Sequence, residues 1–186
     1  LTDRITVLDD VTRAMFLAAK AMDVTRPVLD ASGYSHRVPE TDIYDCHDYD
    51  QNVETFRERH AHVAEGKPHS NTHNNRVLSI PYGGQPFFVS EFGGTWWNPA
   101  AVADADRTHS WGYGNAPLSI DEFYHRFEGL CGALLDNPAM FGYCYTQLTD
   151  VYQEQNGIYT FDRQAKFDLK RLRKAQTRTA AIEKLS

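Results

Sequence analysis

The segment Pro86-Phe87-Phe88-Val89-Ser90-Glu91-Phe92-Gly93-Gly94 carries the clearest structural signal in the chain. Its bulky and β-branched residues predict a strand over residues 87–90. The two glycines that follow allow the backbone to turn away sharply, because glycine has no Cβ. In parallel α/β folds the carboxyl ends of the strands form the functional face. Glu91 is therefore either a functional carboxylate at a strand end or a structural one.

Three more segments are predicted to be strands, namely residues 28–31, 42–47 and 140–146. They alternate with helical patterns, which predicts an α/β fold with parallel strand pairing. Only about ten residues separate the first two strands, fewer than a helical crossover usually needs. Either that connection is a loop, or residues 28–31 are not a strand.

Helical periodicity predicts four helical segments. The buried stripe of the first consists of Leu8, Val11, Met15, Ala18 and Met22. A second helix lies within residues 51–65. A third follows a capping box formed by Ser119 and Glu122, and it buries Phe123, Phe127, Leu130 and Leu134. Residues 163–185 form a basic amphipathic helix or helix pair, anchored by Phe167, Leu169 and Leu172.

Charge and composition exclude several classes of protein. The 186 residues include 19 Lys and Arg against 25 Asp and Glu, which gives a formal net charge of −6. Because binding to phosphates needs clustered positive charge, we expect no nucleic-acid partner. No apolar run is long enough to cross a bilayer, so we expect no membrane segment. Cys46, Cys131 and Cys144 are few and far apart, which predicts reduced thiols that pack in the interior.

The second predicted strand runs into a polar cluster, Asp45-Cys46-His47-Asp48-Tyr49-Asp50. Alternation along a strand sends His47 and Tyr49 to one face and Asp48 to the other. His47 and Tyr49 suit hydrogen bonds to a sugar hydroxyl or to a carboxylate nucleophile, or belong to a structural network. Three tryptophans after Glu91 could stack on pyranose rings or simply pack, and they are Trp96, Trp97 and Trp111.

Four segments together carry a family resemblance. They are Arg26-Pro27-Val28-Leu29-Asp30-Ala31-Ser32-Gly33, then Asp42-Ile43-Tyr44-Asp45-Cys46-His47-Asp48-Tyr49, then Ser90-Glu91-Phe92-Gly93-Gly94, then residues 146–159. In this order they resemble glycoside hydrolase family 2, which includes β-galactosidases, β-glucuronidases and β-mannosidases. The resemblance extends from about residue 25 to residue 168. It implies a partial (β/α)8 TIM barrel, strands five to eight with flanking helices, so that residues 1–186 form the C-terminal half of a catalytic barrel.

The resemblance also implies a site and a reaction. Family enzymes are retaining β-glycosidases, and Glu91 falls on the position of their catalytic nucleophile. The residues implied to bind the carbohydrate substrate are His47, Asp48, Tyr49, Trp96, Trp97, Tyr145 and Gln147. Many members have tryptophan after strand eight, where this chain reads Tyr145-Thr146-Gln147, so the sugar that is cleaved stays open. The reaction needs neither a cofactor nor a metal ion.

A second carboxyl group is needed as the acid/base. In the family it is a glutamate directly after an asparagine, and this sequence contains no such pair. We therefore expect it in the missing N-terminal half of the barrel, which in the family follows β-sandwich domains, and we expect the chain alone to be inactive. Asp150 or Glu154, after the eighth strand, could replace it. A cut barrel leaves unpaired edges, so we also expect self-association or a rearrangement of helices.

Two other functions stay open. The chain could be a carbohydrate-binding module without catalysis, in which the tryptophans stack on sugars and Glu91 only accepts hydrogen bonds. A metal site could use the histidine pairs His60 and His62 or His69 and His73. The first pair projects in divergent directions from a helix, and the second lies in a loop with no thiolate or carboxylate nearby.

Overall fold

A computed structural model of the chain describes residues 9–98 and 110–185, which contain four α-helices and five strands. In chain order they are α1 (Asp9–Met22), β1 (Tyr44–Asp48), α2 (Val53–His60), β2 (Thr72–His73), β3 (Arg76–Val77), β4 (Phe87–Gly93), α3 (Ile120–Leu135), β5 (Met140–Thr146) and α4 (Leu169–Gln176). Within these described ranges, no helix combines the length and the apolar character that a bilayer crossing requires. The predicted stripe position Leu8 lies outside the described residues.

A small parallel sheet confirms the predicted α/β class. Its strand order is β1-β4-β5, and β2 and β3 form a separate antiparallel pair. The bounds predicted for β5, residues 140–146, are those observed. In contrast, β4 extends to Gly93, beyond the residue 90 that was predicted. The described residues show three strands in this sheet, so the barrel itself stays a prediction.

The strand predicted at residues 28–31 is wrong. Side-chain carboxylates hold this segment in place of a strand ladder. The Asp42 carboxylate accepts a hydrogen bond from the amide of Val28 at 2.8 Å, and the Asp30 carboxylate accepts from the amides of Arg37 and Val38 at 2.6 and 2.8 Å. Ala31 is buried, whereas Val28 and Leu29 are only partly buried, and none of them belongs to a strand, so the apolar pattern alone was misleading.

One compact unit contains residues 9–48, 59–91 and 139–144. Its core residues include Phe16, Val38, Ile43, Tyr44, Cys46, Val63, Phe87, Val89 and Met140. In α1 the buried residues are Thr12 and Phe16. The stripe predicted to be buried is instead exposed at Val11, Met15 and Met22. The helix is thus rotated relative to the expectation, and its most apolar stripe does not face this core.

The second compact unit contains residues 49–58, 92–98, 110–138 and 145–185. The predicted stripe of α3 is confirmed, since all four of its members are buried. The Ser119 hydroxyl accepts a hydrogen bond from the Glu122 amide, as the capping box predicts, but the Glu122 carboxylate accepts from Leu118 and not from Ser119. Near α4, the ring of Phe167 stacks on Phe123, with centroids 3.8 Å apart.

The C-terminal segment contains α4 and a short 3-10 helix, Ile182–Leu185, in agreement with the predicted helix pair. Leu172 and Phe167 are buried as predicted. Leu169 is exposed, so it is not an anchor. The side chain of Arg171 in α4 forms an ion pair with Glu128 of α3, so this one of the positive charges on α4 has a partner within the chain.

Candidate active site

β4 delivers Glu91 to the end of the central strand. Alternation along the strand places Glu91 on the same face as Phe87 and Val89, both of which are fully buried. The Glu91 side chain is 38% exposed, so this face opens to solvent where the carboxylate emerges. At Gly93 the backbone adopts φ of 81°, a left-handed conformation that favours glycine. β4 continues two residues past Glu91, so the strand does not turn away directly after Glu91 as predicted, and the left-handed glycine is its last residue.

His47, near the end of the neighbouring strand β1, faces Glu91. Its Nδ1 lies 3.4 Å from Oε2 of Glu91, and its side chain is 7% exposed. This separation is within ion-pair range but too long for a strong hydrogen bond. Catalytic hydrogen bonds are often long before substrate binds. The two strand ends predicted to carry chemistry are thus brought together in one place.

Residues 32–34 pack around the His47 ring and fix its orientation. The Ser32 hydroxyl lies 3.1 Å from Nε2 of His47, and the Tyr34 ring meets the imidazole edge to face at 5.4 Å. Gly33 lies so close that an added Cβ would be 2.3 Å from Cδ2 of His47. Sequence reasoning missed Ser32 and Gly33, although both belong to the first segment of the family resemblance.

Cys144 is a further residue near Glu91 that sequence reasoning missed. It was predicted to be a packing residue, but its thiol lies at an exposed position of β5 and is not in a disulfide. Partial burial of the thiol and, to a smaller extent, the charge of Glu91 raise the pKa of Cys144. The group beside the carboxylate is therefore a neutral thiol. Cys46 and Cys131 are buried, as predicted.

The Asp48 carboxylate is held in a buried ion-pair cluster, which differs from its predicted role as a sugar contact. Oδ1 of Asp48 lies 2.8 Å from Nη1 of Arg59, and Oδ2 lies 3.2 Å from Nε2 of His60. The Asp48 side chain is buried, on the strand face opposite His47. Its partners are protein groups, so its position indicates a structural role.

In the second unit, the two predicted stacking tryptophans are buried. The Trp96 indole nitrogen donates to the Ser110 hydroxyl at 3.2 Å, and the Trp97 ring packs near Phe167. Both rings are committed to the interior, contrary to the expectation that they offer faces to a sugar. Trp111 is the exposed member of the three.

Other predicted sugar contacts in this unit have protein partners that set their geometry. The Tyr49 ring stacks on Tyr113, with centroids 3.4 Å apart. Burial raises the pKa of Tyr145 far above its usual range, so this phenol stays protonated. The side-chain amide of Gln147 donates a hydrogen bond to Oδ1 of Asn156 at 2.7 Å. Their role in binding sugar stays a prediction.

Asp150 is not available as a replacement acid. Its two carboxylate oxygens lie 2.8 and 3.1 Å from Nζ of Lys166, and one also accepts from the amide of Gly157. Both members of the ion pair are buried. Both carboxylate oxygens are thus occupied by the Lys166 ammonium, and one of them also by the Gly157 backbone amide, so neither is directed at a leaving group. The carboxylate of the other candidate, Glu154, accepts a hydrogen bond from the side-chain amide of Asn156 at 3.1 Å.

The histidine pairs considered for metal binding are not joined by other ligands. Within residues 9–98 and 110–185, no group of three or more His, Cys, Asp or Glu side chains is placed to hold a metal ion. His62 pairs with Glu65, and the His60 ring lies beside that of His69.

Solved structures of glycoside hydrolases resemble the fold. The β-D-glucuronidase of Dictyoglomus thermophilum matches 93% of this chain with a TM-score of 0.62 and 12% identity. The family 2 β-galacturonidase of Eisenbergiella tayi matches 90% with a TM-score of 0.56 and 13% identity. An agarase matches 90% with a TM-score of 0.54 and 15% identity. At these identities the likeness establishes a glycoside hydrolase-like fold alone.

The chain spans only part of these relatives. It covers 29% of the Dictyoglomus enzyme, 30% of the Eisenbergiella enzyme and 24% of the agarase. No protein-family model matches the sequence, and the comparison with curated proteins finds no match.

Proposed function

We propose that this chain carries the nucleophile of a retaining β-glycosidase of the family 2 type, and that Glu91 is that nucleophile. The observation that supports this most directly is the half-exposed Glu91 carboxylate at the end of β4, with the His47 imidazole 3.4 Å away. The likeness of the fold to β-glucuronidase and β-galacturonidase structures adds support. The segments quoted above for the family resemblance include both residues.

The reaction has two steps. The Glu91 carboxylate attacks the anomeric carbon and forms an ester bond, while the bond from that carbon to the leaving oxygen breaks and the oxygen takes a proton from a second carboxyl group. Water then attacks the same carbon, gives its proton to that second group, and releases Glu91 as a carboxylate. His47 orients the Glu91 carboxylate and donates to it through Nδ1.

The second carboxyl group is proposed to come from another polypeptide segment. Retaining pairs are about 5 Å apart. The Asp150 carboxylate is neutralised by Lys166, which removes one candidate within the chain. We therefore propose that the active enzyme joins this chain to the other half of a barrel, and that the chain alone does not turn over substrate.

The alternative of a carbohydrate-binding module is less well supported. Stacking on a pyranose needs an exposed aromatic face. The rings of Trp96 and Trp97 are buried in the second unit. Trp111 keeps an exposed face, but the loss of two of the three tryptophan faces makes simple sugar binding less well supported than catalytic use of Glu91.

The test is substitution of Glu91 in the intact enzyme that contains this chain. Glu91→Gln should lower kcat on aryl β-glycosides by at least about 10⁴-fold, because an amide cannot form the glycosyl ester. Glu91→Gly with added azide should yield a glycosyl azide of inverted configuration. An aziridine of the cyclophellitol type should label the wild-type enzyme at Glu91, as found by peptide mass spectrometry.

The matched control is Glu54→Gln, which makes the same change at an exposed position of α2. It should leave kcat unchanged. Hydrolysis that continues at the wild-type rate in the Glu91→Gln enzyme would contradict the proposal. Labelling of a different carboxylate by the aziridine would do so as well.

A further inference from the structure

A buried triad lies behind the residues that pack on His47. Nδ1 of His36 lies 2.6 Å from Oδ1 of Asp30, and Nε2 of His36 lies 2.7 Å from Oδ1 of Asp45. All three side chains are buried. Nε2 also lies 3.2 Å from the Asp45 carbonyl oxygen and 2.9 Å from the Asp45 amide nitrogen, so two oxygens of Asp45 can accept the Nε2 proton. His36 thus donates from both ring nitrogens.

The triad anchors the turn that contacts His47. Besides accepting from His36, Oδ1 of Asp45 accepts a hydrogen bond from the Gly33 amide at 3.1 Å. The turn is closed by a hydrogen bond of 3.0 Å from the Tyr34 amide to the Ser32 carbonyl. Ser32 is therefore held in position by buried charges rather than by a mobile loop.

The position of Ser32 bears on which nitrogen of His47 carries the proton. A neutral imidazole has one donor and one acceptor nitrogen. Nδ1 faces the Glu91 carboxylate, which can only accept, and Nε2 faces the Ser32 hydroxyl, which can donate. With the proton on Nε2 instead, a lone pair of Nδ1 would point at a carboxylate, which is repulsive.

We infer that Ser32 is a positioning residue, whose hydroxyl donates to Nε2 of His47 and so fixes the tautomer that presents Nδ1–H to Glu91. This inference rests on the proposed function for its catalytic meaning. Donation from Nδ1 stabilises the charged carboxylate and orients it for attack on the anomeric carbon. Among the described residues, the Ser32 hydroxyl is placed against the His47 ring, so its proposed effect on Glu91 passes through that ring.

The test reads the tautomer directly by long-range ¹H–¹⁵N correlation spectra of the 186-residue chain at about pH 9, well above the ordinary histidine range. In the wild type, Nδ1 of His47 should show the shift of a protonated nitrogen and Nε2 that of an unprotonated one. Protonation of Nε2 in the wild type would overturn the inference. This reading needs no variant and no catalysis.

Variants then test the role of the hydroxyl. Ser32→Ala should give a mixture of His47 tautomers, and Ser32→Thr, which keeps a hydroxyl, should restore the single form. The control is Ser35→Ala in the same loop, because the buried Ser35 hydroxyl has no hydrogen-bond partner among the described residues. Ser35→Ala should leave the His47 spectrum unchanged. An unchanged spectrum in Ser32→Ala would contradict the inference.

Kinetics of the intact enzyme separate this inference from the proposed function. Ser32→Ala should lower kcat about tenfold with little change in KM, since His47 would then present Nδ1–H to the Glu91 carboxylate in only a fraction of the molecules. If Glu91→Gln leaves turnover intact, the proposed function fails while the tautomer result stands. If Glu91→Gln abolishes turnover and Ser32→Ala changes neither kcat nor the tautomer, only the role of Ser32 fails.

Discussion

Nε2 of His36 lies 2.7 Å from Oδ1 of Asp45, and neither side chain is exposed to solvent. Burial alone would lower the pKa of His36, because it disfavours the charged ring. Hydrogen bonds and charges from Asp30 and Asp45 outweigh burial and raise the pKa of His36 from 6.5 to about 9. Burial likewise opposes ionisation of Asp30, but its hydrogen bonds from His36 and the backbone lower its pKa. His36 is therefore charged at neutral pH, and so is Asp30.

The first prediction is a loss of stability at alkaline pH that depends on His36. The folded pKa is raised above the unfolded one, so the stabilisation is fully present below about pH 6.5 and is lost as the pH rises through about 9. The shift corresponds to about 3 kcal/mol. Urea unfolding at about pH 6 and about pH 10 should show this fall in the wild type, and His36→Asn should remove most of it.

Cys46 also contributes to the fall, because burial raises the pKa of its thiol well above the usual range in the folded chain, while the unfolded chain can ionise it at alkaline pH. The difference between wild type and His36→Asn isolates the contribution of His36. His62→Asn is the control, since His62 is exposed and pairs only with Glu65. It should keep the wild-type dependence. If the free energy of unfolding falls equally between the two pH values in the wild type and in His36→Asn, His36 is not charged in the folded chain.

The second prediction compares two glycines with nearly the same backbone. Gly33 has φ of 76° and Gly66 has φ of 75°, so alanine is strained equally at both. An added Cβ meets nothing within 4 Å at Gly66, but it would be 2.3 Å from the His47 ring at Gly33. Gly33→Ala should therefore cost about 1–3 kcal/mol more in urea unfolding than Gly66→Ala. Equal costs would mean that His47 can move aside.

The sequence correctly predicted those helices and strands that are determined by residues close to one another in the chain. The strand β5 and the helix α3 have the predicted residues, because the apolar run and the Ser119 cap act over a few positions. Residues 28–31 look equally strand-like, but the Asp42 carboxylate accepts the Val28 amide, and the Asp30 carboxylate ties the segment to the backbone of residues 37 and 38. That competition depends on groups up to fourteen residues away.

The same distinction applies to the site. Glu91 and His47 stand at strand ends, so sequence reasoning could single them out before their separation of 3.4 Å was known. Ser32 and Cys144 belong to segments that are remote in sequence, and no periodicity relates them to Glu91. The aromatic content that suggested Trp96 and Trp97 as sugar contacts cannot distinguish a buried ring from an exposed one.

The third prediction concerns the buried pair of Asp150 and Lys166. Lys166→Met should lower the free energy of unfolding by about 3–5 kcal/mol, because it leaves a buried carboxylate without its cation. Lys166 also donates to the Gln155 carbonyl at 3.2 Å, which adds to the loss. The combined Asp150→Asn, Lys166→Met chain should be less destabilised than the two single changes added together.

Lys67→Met is the matched control for this pair, since Lys67 is exposed and its nitrogen lies 3.8 Å from Glu65. It should change stability little. Additive effects of the two changes at Asp150 and Lys166 would show that the pair is not coupled.

The fourth prediction is that the chain self-associates through α1. Val11, Met15 and Met22 share one face of this helix and are 51%, 49% and 90% exposed, while its buried residues Thr12 and Phe16 lie on another face. A second copy of the chain can cover this stripe, because burial of apolar surface drives association.

Sedimentation velocity should show a weight-average sedimentation coefficient that rises with protein concentration. Met15→Glu with Met22→Glu should shift the chain toward monomer, whereas Leu148→Glu, at an exposed leucine outside α1, should not. A wild-type coefficient that stays constant over a wide concentration range would exclude this association and leave the stripe exposed in solution.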